Sequence, residues 1–268
     1  MSVELNYRVT GEGEPLILLH GLFGSLENLG GVSQRLQDGW QIHALDQRNH
    51  GRSPHADTMD YPAMAADVLA YMDRQGLGQA SLLGHSMGGK VAMELALSHP
   101  ERVDRLIVAD IAPVTYRPRH DNVLAGLDAI DLAALESRQQ ADEVLRAHVE
   151  ELPVRQFLLK NLIRVGADED AGNGARFRWR LNLTAIKACY DNLARAPSAE
   201  GPFDGPTLFI KGSESAYIQD KHRDAVARLF PHARLRIIQG AGHWLHAEKA
   251  DTFATLCRRF LSGQDDGR

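Results

Sequence analysis

The sequence predicts an α/β fold: a mostly parallel central sheet with helices on both faces and a helical cap inserted between two of its strands. Three observations predict it. Short runs of unalternating apolar residues recur along the chain, stretches of helical periodicity separate most of them, and the alternation stops for one long central segment. Strands without polar alternation are buried on both faces, which follows when helices cross over between parallel strands.

Taken in order, Val3, Leu5, Tyr7 and Val9 alternate with polar residues, and Gly11-Glu12-Gly13 supplies a turn. Pro15 then opens the run Leu16 to Leu19, so the chain is expected to start hairpin-like and lead into a buried strand. Further strand-sized runs are Ile42 to Leu45, Ala80 to Leu83, Leu106 to Ala109, Thr207 to Ile210 and Leu235 to Ile238. Helical spacing marks Ala63 to Arg74, Gly89 to Ser98, Asp220 to Phe230 and Ala247 to Leu261. From Val114 to Pro197 no strand signal appears, while Leu124, Leu127, Leu132, Leu135, Val144, Leu145 and Val149 recur at helical spacing. Asp168 to Gly174 reads as a Gly/Asp-rich connector, and Phe177 to Leu193 as another helix. The expected division is therefore a core of residues 1–113 and 198–268 and a helical cap of residues 114–197.

Composition narrows the function. The 268 residues carry 30 Lys and Arg against 35 Asp and Glu, a net charge of −5, which argues against nucleic acid as a partner. With 2 cysteines, Cys189 and Cys257, a disulfide scaffold or four-cysteine zinc site is not expected. The first residues show no charged segment followed by an apolar one, and no apolar run reaches membrane-spanning length. A cytoplasmic protein without a membrane span is the expectation.

The sharpest chemical signal is Gly84-His85-Ser86-Met87-Gly88, set between an expected strand and an expected helix. A strained turn there lifts the serine above the sheet, and side chains at 84 or 88 would collide with neighbouring backbone. The turn also places Ser86 at a helix N-terminus, where free N–H groups favour a developing oxyanion. Gly84 to Gly89-Lys90 nearly matches a phosphate-binding loop, but Val91 stands where a magnesium-binding hydroxyl is needed. A serine nucleophile needs a base. Of 12 histidines, His243 stands out, because it follows a strand in the glycine-rich loop Gly240-Ala241-Gly242-His243-Trp244. His246, three positions on, has no evident ligand cluster around it, so no metal is expected. The loop His20-Gly21-Leu22-Phe23-Gly24, straight after the first buried strand, permits close backbone approach. Its Leu22 N–H, paired with that of Met87, would form an oxyanion hole, with Phe23 as the neighbouring possibility for the loop donor.

These residues carry a resemblance. The order of HG loop, G-x-S-x-G and late G-x-G-H, with a helical insertion between, resembles the α/β-hydrolase superfamily over essentially the whole chain. Asp46 to Ser53 matches its D-x-R-x-x-G-x-S segment. The stretches HGLFGSLENLG, LDQRNHGRSPH, GHSMGGKVAM, FRWRLNL and GAGHWLHAEK are similar to the YbfF-type bacterial esterases, related to ABHD11-type hydrolases. That resemblance implies hydrolysis of a small-molecule acyl ester or thioester, a mainly helical cap and no cofactor.

The superfamily's usual acid lies in a segment like P-x-L-x-I-x-G-x-x-D, which here runs from Pro206 and holds Ser215 at the aspartate position. Some members take the acid from the strand after the nucleophile strand instead, and Asp110 ends that strand. Asp110 is thus the candidate acid, with Glu214, Ser213 and Ser215 as alternatives for orienting His243. Phe23, Trp179 and Trp244 are candidate substrate-binding residues. Asp46 and Arg48 are expected to support the HG loop, and Asn49 and His50 could look into the site. A basic face at Arg178 and Arg180 would steer an anionic substrate, and Glu248 reads as a helix N-terminal partner. The expectation is a serine esterase or thioesterase working through an acyl-enzyme. Carbon–carbon bond hydrolysis or perhydrolysis by the same machinery, or a non-catalytic receptor on a hydrolase scaffold, are the alternatives.

Overall fold

The computed structural model describes residues 2–166, 176–199 and 201–264. The expected connector Asp168 to Gly174 and the end of the C-terminal tail lie outside them. The first half of the core comprises β1 (Tyr7–Thr10), β2 (Glu14–Leu19), α1 (Gly30–Leu36), β3 (Trp40–Leu45), α2 (Tyr61–Arg74), β4 (Ala80–His85), α3 (Met87–Ser98) and β5 (Val103–Ala109). Between β5 and the next strand of the main sheet lie α4 (Asp121–Asp128), α5 (Arg138–Arg146), α6 (Leu152–Leu159), β6 (Leu162–Arg164), β7 (Phe177–Trp179), α7 (Leu183–Ala188) and α8 (Tyr190–Ala194). The chain then returns through β8 (Thr207–Gly212), α9 (Arg223–Leu229), β9 (Ala233–Ile238), α10 (Leu245–Glu248) and α11 (Ala250–Leu261).

Seven strands form one sheet in the order β1-β3-β2-β4-β5-β8-β9, and every pairing except that of β1 is parallel. The unalternating runs are explained by their surroundings. Leu16 and Leu18 of β2 pack into the cluster on the α1 and α11 side, Ile17 and Leu19 into the cluster on the α2 and α3 side, and all four are buried. Both faces are therefore covered, as expected of a parallel sheet. At the β9 edge alternation returns, with Leu235 and Ile237 about half exposed.

Four expectations are corrected. β1 and β2 are not a hairpin: β1 pairs antiparallel with β3, Tyr7 opposite Leu45, so β3 separates the two strands. Gly11, at φ 76°, makes that crossing possible, since a Cβ there would lie 2.4 Å from the Gln37 carbonyl oxygen. Helix α1 escaped notice because two glycines, the weakest helix formers after proline, open it. The middle segment is not wholly helical, because β6 and β7 pair as a short antiparallel ribbon, Leu162 opposite Trp179. The expected helix from Phe177 accordingly starts only at Leu183, with Asn182 Oδ1 accepting from Ala185 N at its N-terminus. A ribbon of such short strands has no pattern that propensity can detect.

Helix α3 is buried along nearly its whole length and carries two charged residues into the interior. Both serve the insertion's exit: Lys90 Nζ donates to the carbonyls of Ala194 and Arg195, and Glu94 accepts from Ser198 N and Ser198 Oγ, each at 2.6 Å. Burying such groups is tolerable only with partners of this kind. The segment after β3 is held similarly. Asp46 accepts from Leu26 N at 2.7 Å, Asn6 Nδ2 at 2.7 Å and Arg52 N at 2.9 Å. Arg48, expected to support the HG loop, instead pairs with Asp67 on α2 through Nε at 2.6 Å and Nη2 at 2.8 Å. Gly51 sits at φ 57° against the Asp46 carboxylate, where a Cβ would come within 2.0 Å of Cγ.

Gly51→Ala is therefore expected to destabilise the fold by about 2–4 kcal/mol, through strain and displacement of the Asp46 carboxylate. Gly30→Ala, with nothing within 4 Å of the added carbon, is expected to be neutral or to stabilise by up to about 1 kcal/mol. Urea denaturation of both variants checks the contrast.

Candidate active site

The strands end along one edge of the sheet in a row of loops, and Ser86, His243 and Asp110 meet there. Ser86 follows β4 at φ 53°, ψ −118°, outside the helical region, and α3 begins at Met87. The two flanking glycines are required by close approach. A Cβ at Gly84 would lie 2.2 Å from the Gly88 carbonyl oxygen, and one at Gly88 would lie 2.2 Å from that of Leu19. Met87 N–H is at the first helical position and so has no intrahelical acceptor.

His243 Nε2 faces Ser86 Oγ at 3.1 Å, and its Nδ1 faces Asp110 Oδ2 at 2.7 Å. Its partners assign the tautomer: Nδ1–H donates to the carboxylate, and Nε2 accepts from the hydroxyl. Asp110 is fully buried at φ 53° directly after β5, with Gly212 N donating to Oδ1 at 3.2 Å. Ser215, in the position where the superfamily usually has aspartate, donates its hydroxyl to Asp110 Oδ2 rather than to His243. Ser213 Oγ accepts from Gly240 N at 2.9 Å, and Glu214 meets Ala241 through its backbone N–H. Of the alternatives open for orienting His243, Asp110 is thus the one in contact with it.

The HG loop is pinned from two sides. Phe23 N–H donates to His50 Nε2 at 3.1 Å, and His50 Nδ1–H donates to the Arg48 carbonyl at 2.9 Å. Phe23 O accepts from Asn161 Nδ2 at 2.8 Å, a contact from the segment between α6 and β6. The Phe23 N–H is thus already engaged by His50. His20 is held below, Nδ1–H donating to Gly21 O at 2.8 Å and Nε2 accepting from Gln47 N at 3.0 Å. Asn49 faces the insertion rather than the serine, its carbonyl accepting from Asn182 N and its Oδ1 from Asn182 Nδ2. Glu248, in the first turn of α10, accepts from the N–H of the N-cap residue Trp244 at 3.2 Å and from Gly242 N at 2.6 Å, and so holds the His243 loop.

A cavity of about 490 Å³ opens beside Ser86, with Leu22, Phe23, Val154, Phe157, His243 and Trp244 in its wall. Phe23 and Trp244 are therefore at the site. Trp179 is not: it sits in the β6–β7 ribbon, partly buried against the core, and does not line this cavity. Arg178 and Arg180 do not line it either. Among the described residues no His, Cys, Asp and Glu cluster fit for a metal occurs, and both cysteines are free.

Three side chains were missed. Tyr217 stacks on the His243 ring at 4.2 Å between centroids. His85 Nε2–H donates to the His243 carbonyl at 2.9 Å. His120, before α4, borders the cavity, and its Nδ1 meets the Tyr190 hydroxyl at 2.5 Å. The residue between Gly84 and Ser86 was the one legible signal; nothing local marks Tyr217 or His120.

The chain matches the family model described as the alpha/beta hydrolase fold over residues 14–250. The chain belongs to the α/β-hydrolase family. Within this family it is 40% identical to Esterase YbfF of Escherichia coli (strain K12), over 92% of this chain and 93% of that protein. It is 38% identical to the sn-1-specific diacylglycerol lipase ABHD11 of Mus musculus, over 92% of this chain and 80% of that protein. A solved structure titled marine microorganism esterase superposes with a TM-score of 0.91 at 40% identity, covering 97% of this chain and 100% of that one. No described helix is long and apolar enough to cross a membrane.

Burial keeps the surrounding imidazoles neutral. It pushes His50 down to about 3 and His120 and His246 down to about 4, with the His243 charge adding to the shift of the latter two. Burial also holds His85 well below its ordinary value. Their folded values lie below the unfolded value, so their stabilising contribution is present above pH 6.5 and lost as pH falls toward the folded values. Stability is expected to fall between pH 7 and pH 5 by on the order of 2 kcal/mol per buried histidine. Urea midpoints across that range test this, and a flat profile contradicts it.

Proposed function

We propose that the chain is a serine hydrolase cleaving carboxylic esters, and acyl thioesters by the same steps, through an acyl-enzyme. One observation carries the reading: the unbroken hydrogen-bonded line from Ser86 Oγ through His243, at 3.1 Å and 2.7 Å, to a fully buried carboxylate. The names of its esterase and lipase relatives support the ester as substrate.

Ser86 Oγ attacks the acyl carbon as His243 Nε2 takes its proton. Asp110 keeps Nδ1 protonated, which leaves Nε2 free to accept, and stabilises the imidazolium that forms. The Leu22 and Met87 N–H groups take the oxyanion, aided by the N-terminus of α3. Collapse breaks the bond to the leaving oxygen, which receives the proton from Nε2. Water then enters, gives a proton to Nε2 and attacks the acyl carbon; the acid leaves and Ser86 recovers its proton. Ser215 and Gly212 hold Asp110 in place, while Glu248 and Tyr217 hold His243. Residues 114–197 serve as a cap, tied to residues 1–113 and 198–268 through Asn161, Asn182 and Lys90. The cap and the HG loop together enclose the substrate, with Phe23 and Trp244 as contacts.

Hydrolysis of p-nitrophenyl acyl esters tests the mechanism. Ser86→Ala is expected to lower kcat by at least about 10³-fold, and Asp110→Asn by about 10³–10⁴-fold with the fold intact by circular dichroism. Ser215→Ala, which removes one of the carboxylate's donors, is expected to cost about tenfold. An active-site-directed phosphonate is expected to label the wild type and not Ser86→Ala. Turnover surviving in Ser86→Ala, with contamination excluded, sinks the proposal, and near-wild-type turnover in Asp110→Asn removes that residue from it.

A further inference from the structure

Ser86 borders two cavities, and they differ about eightfold in size. The larger, about 490 Å³, has His243, Trp244 and His246 in its wall; the smaller, about 60 Å³, has Met87, Lys90, Tyr116 and Tyr217. Leu22 and Ser86 belong to both. From this division we propose that the substrate is an ester of a short acyl group with a bulky, largely apolar alcohol. The acyl group enters the small cavity and the alcohol the large one. The inference rests on the acyl-enzyme reading given above.

The assignment of the two arms follows from proton transfer. An acyl carbon bonded to Ser86, with its oxygen at the Leu22 and Met87 N–H groups, has two substituents left to place. The leaving oxygen must lie within hydrogen-bond reach of His243 Nε2, which returns the proton to it. His243 is in the wall of the large cavity and not of the small one. The alcohol therefore extends along the large cavity, past the apolar Val154, Phe157 and Leu158. The acyl chain is left with the small cavity. Water later takes the place the alcohol has vacated, on the same side of the carbon.

Size sets the acyl limit. A cavity of about 60 Å³, about an eighth of its neighbour, leaves room for an acyl group of about two to four carbons. Its walls are fixed. The Tyr116 hydroxyl accepts from Ala112 N at 2.9 Å and donates to Tyr217 O at 2.6 Å. The Tyr61 hydroxyl donates to Leu193 O, and Lys90 Nζ is tied to the carbonyls of Ala194 and Arg195 while lying over the Tyr61 and Tyr116 rings. Lengthening the acyl chain would break buried hydrogen bonds, each costly to leave unmade. In the large cavity the apolar Phe157 meets Trp244 ring to ring at 5.5 Å.

The test uses the full chain and two series of n-alkyl esters, whose alcohols differ little in acidity, so that rates report fit. With the alcohol fixed as hexanol, kcat/KM is expected to fall at least about tenfold from acetyl or butyryl to octanoyl. With the acyl group fixed as acetyl, it is expected to rise about tenfold from ethyl to hexyl. Leu193→Ala, which opens the end of the small cavity, is expected to raise the octanoyl-to-acetyl ratio about tenfold. Because the ratio is taken within one variant, lost folded protein cancels. Rates that rise with acyl length, as a diacylglycerol-like lipid would require, or that ignore both lengths, overturn the assignment while leaving the acyl-enzyme intact. Turnover that persists in Ser86→Ala overturns the acyl-enzyme reading, and the cavity assignment falls with it.

Discussion

The closeness of α3 to the strands beneath its first turn governs the arrangement at the site. Gly88 has no room for a Cβ against the Leu19 carbonyl, and Gly84 has none against Gly88. A helix start pressed this tightly onto the sheet forces the preceding residue into the strained geometry of Ser86, at φ 53°. It also brings the first turn of α3 to the edge where the strands end. Parallel register then places the other partner. His85 lies opposite Ala109, so the residues that follow each of them, Ser86 and Asp110, leave the sheet side by side. The next strand continues the row, since Asp110 N donates to Ile210 O at 2.8 Å. Only His243 must be brought in from further off, and its loop is held by Glu248 and His85.

What surrounds that row is a set of buried polar side chains that bond backbone rather than one another. Asp46, His20, His50 and Asn161 each take or give hydrogen bonds to the segments just after β2 and β3. A loop rich in glycine loses much conformational freedom on ordering, and these contacts offset that cost. Asn161 and Asn182 come from the insertion, so the insertion and the HG loop are parts of one hydrogen-bonded unit. The large cavity lies between them, and its shape depends on both.

The sheet was legible because its signals are physical and repeated: unalternating runs for buried strands, helical spacing between them. Ser86 and the HG loop were legible because Gly84, Gly88 and Gly24 report backbone that tolerates no side chain, and His243 because it follows a strand in a glycine-rich loop. The unread parts fail for definable reasons. Strand β1 pairs with β3 rather than with β2 because sheet order depends on which edge lies open, a fact that no local run contains. The β6–β7 ribbon was missed because its strands are too short for periodicity to register, and Trp179 was misplaced with it. Arg48 was assigned to the wrong partner since Asp67 lies one helix away in sequence and touches it only in the fold. Tyr217 and His120 reach His243 and the cavity by tertiary packing, which leaves no mark in their neighbours.

The departure at Ser215 shows how a broken pattern can preserve the chemistry it describes. A fully buried carboxylate needs donors for its oxygens, and Asp110 has them in Gly212 N, Ser215 Oγ and His243 Nδ1. The side chains at 110 and 215 are within hydrogen-bond reach of each other. If both carried carboxylates, two like charges would meet at a largely buried position, which disfavours ionising both. The two positions therefore exclude one another as acids, and whichever yields serves best as a donor. With Asp110 in place, a serine at 215 is what the buried carboxylate calls for. The absence of aspartate there and its presence at the end of β5 are a single structural fact.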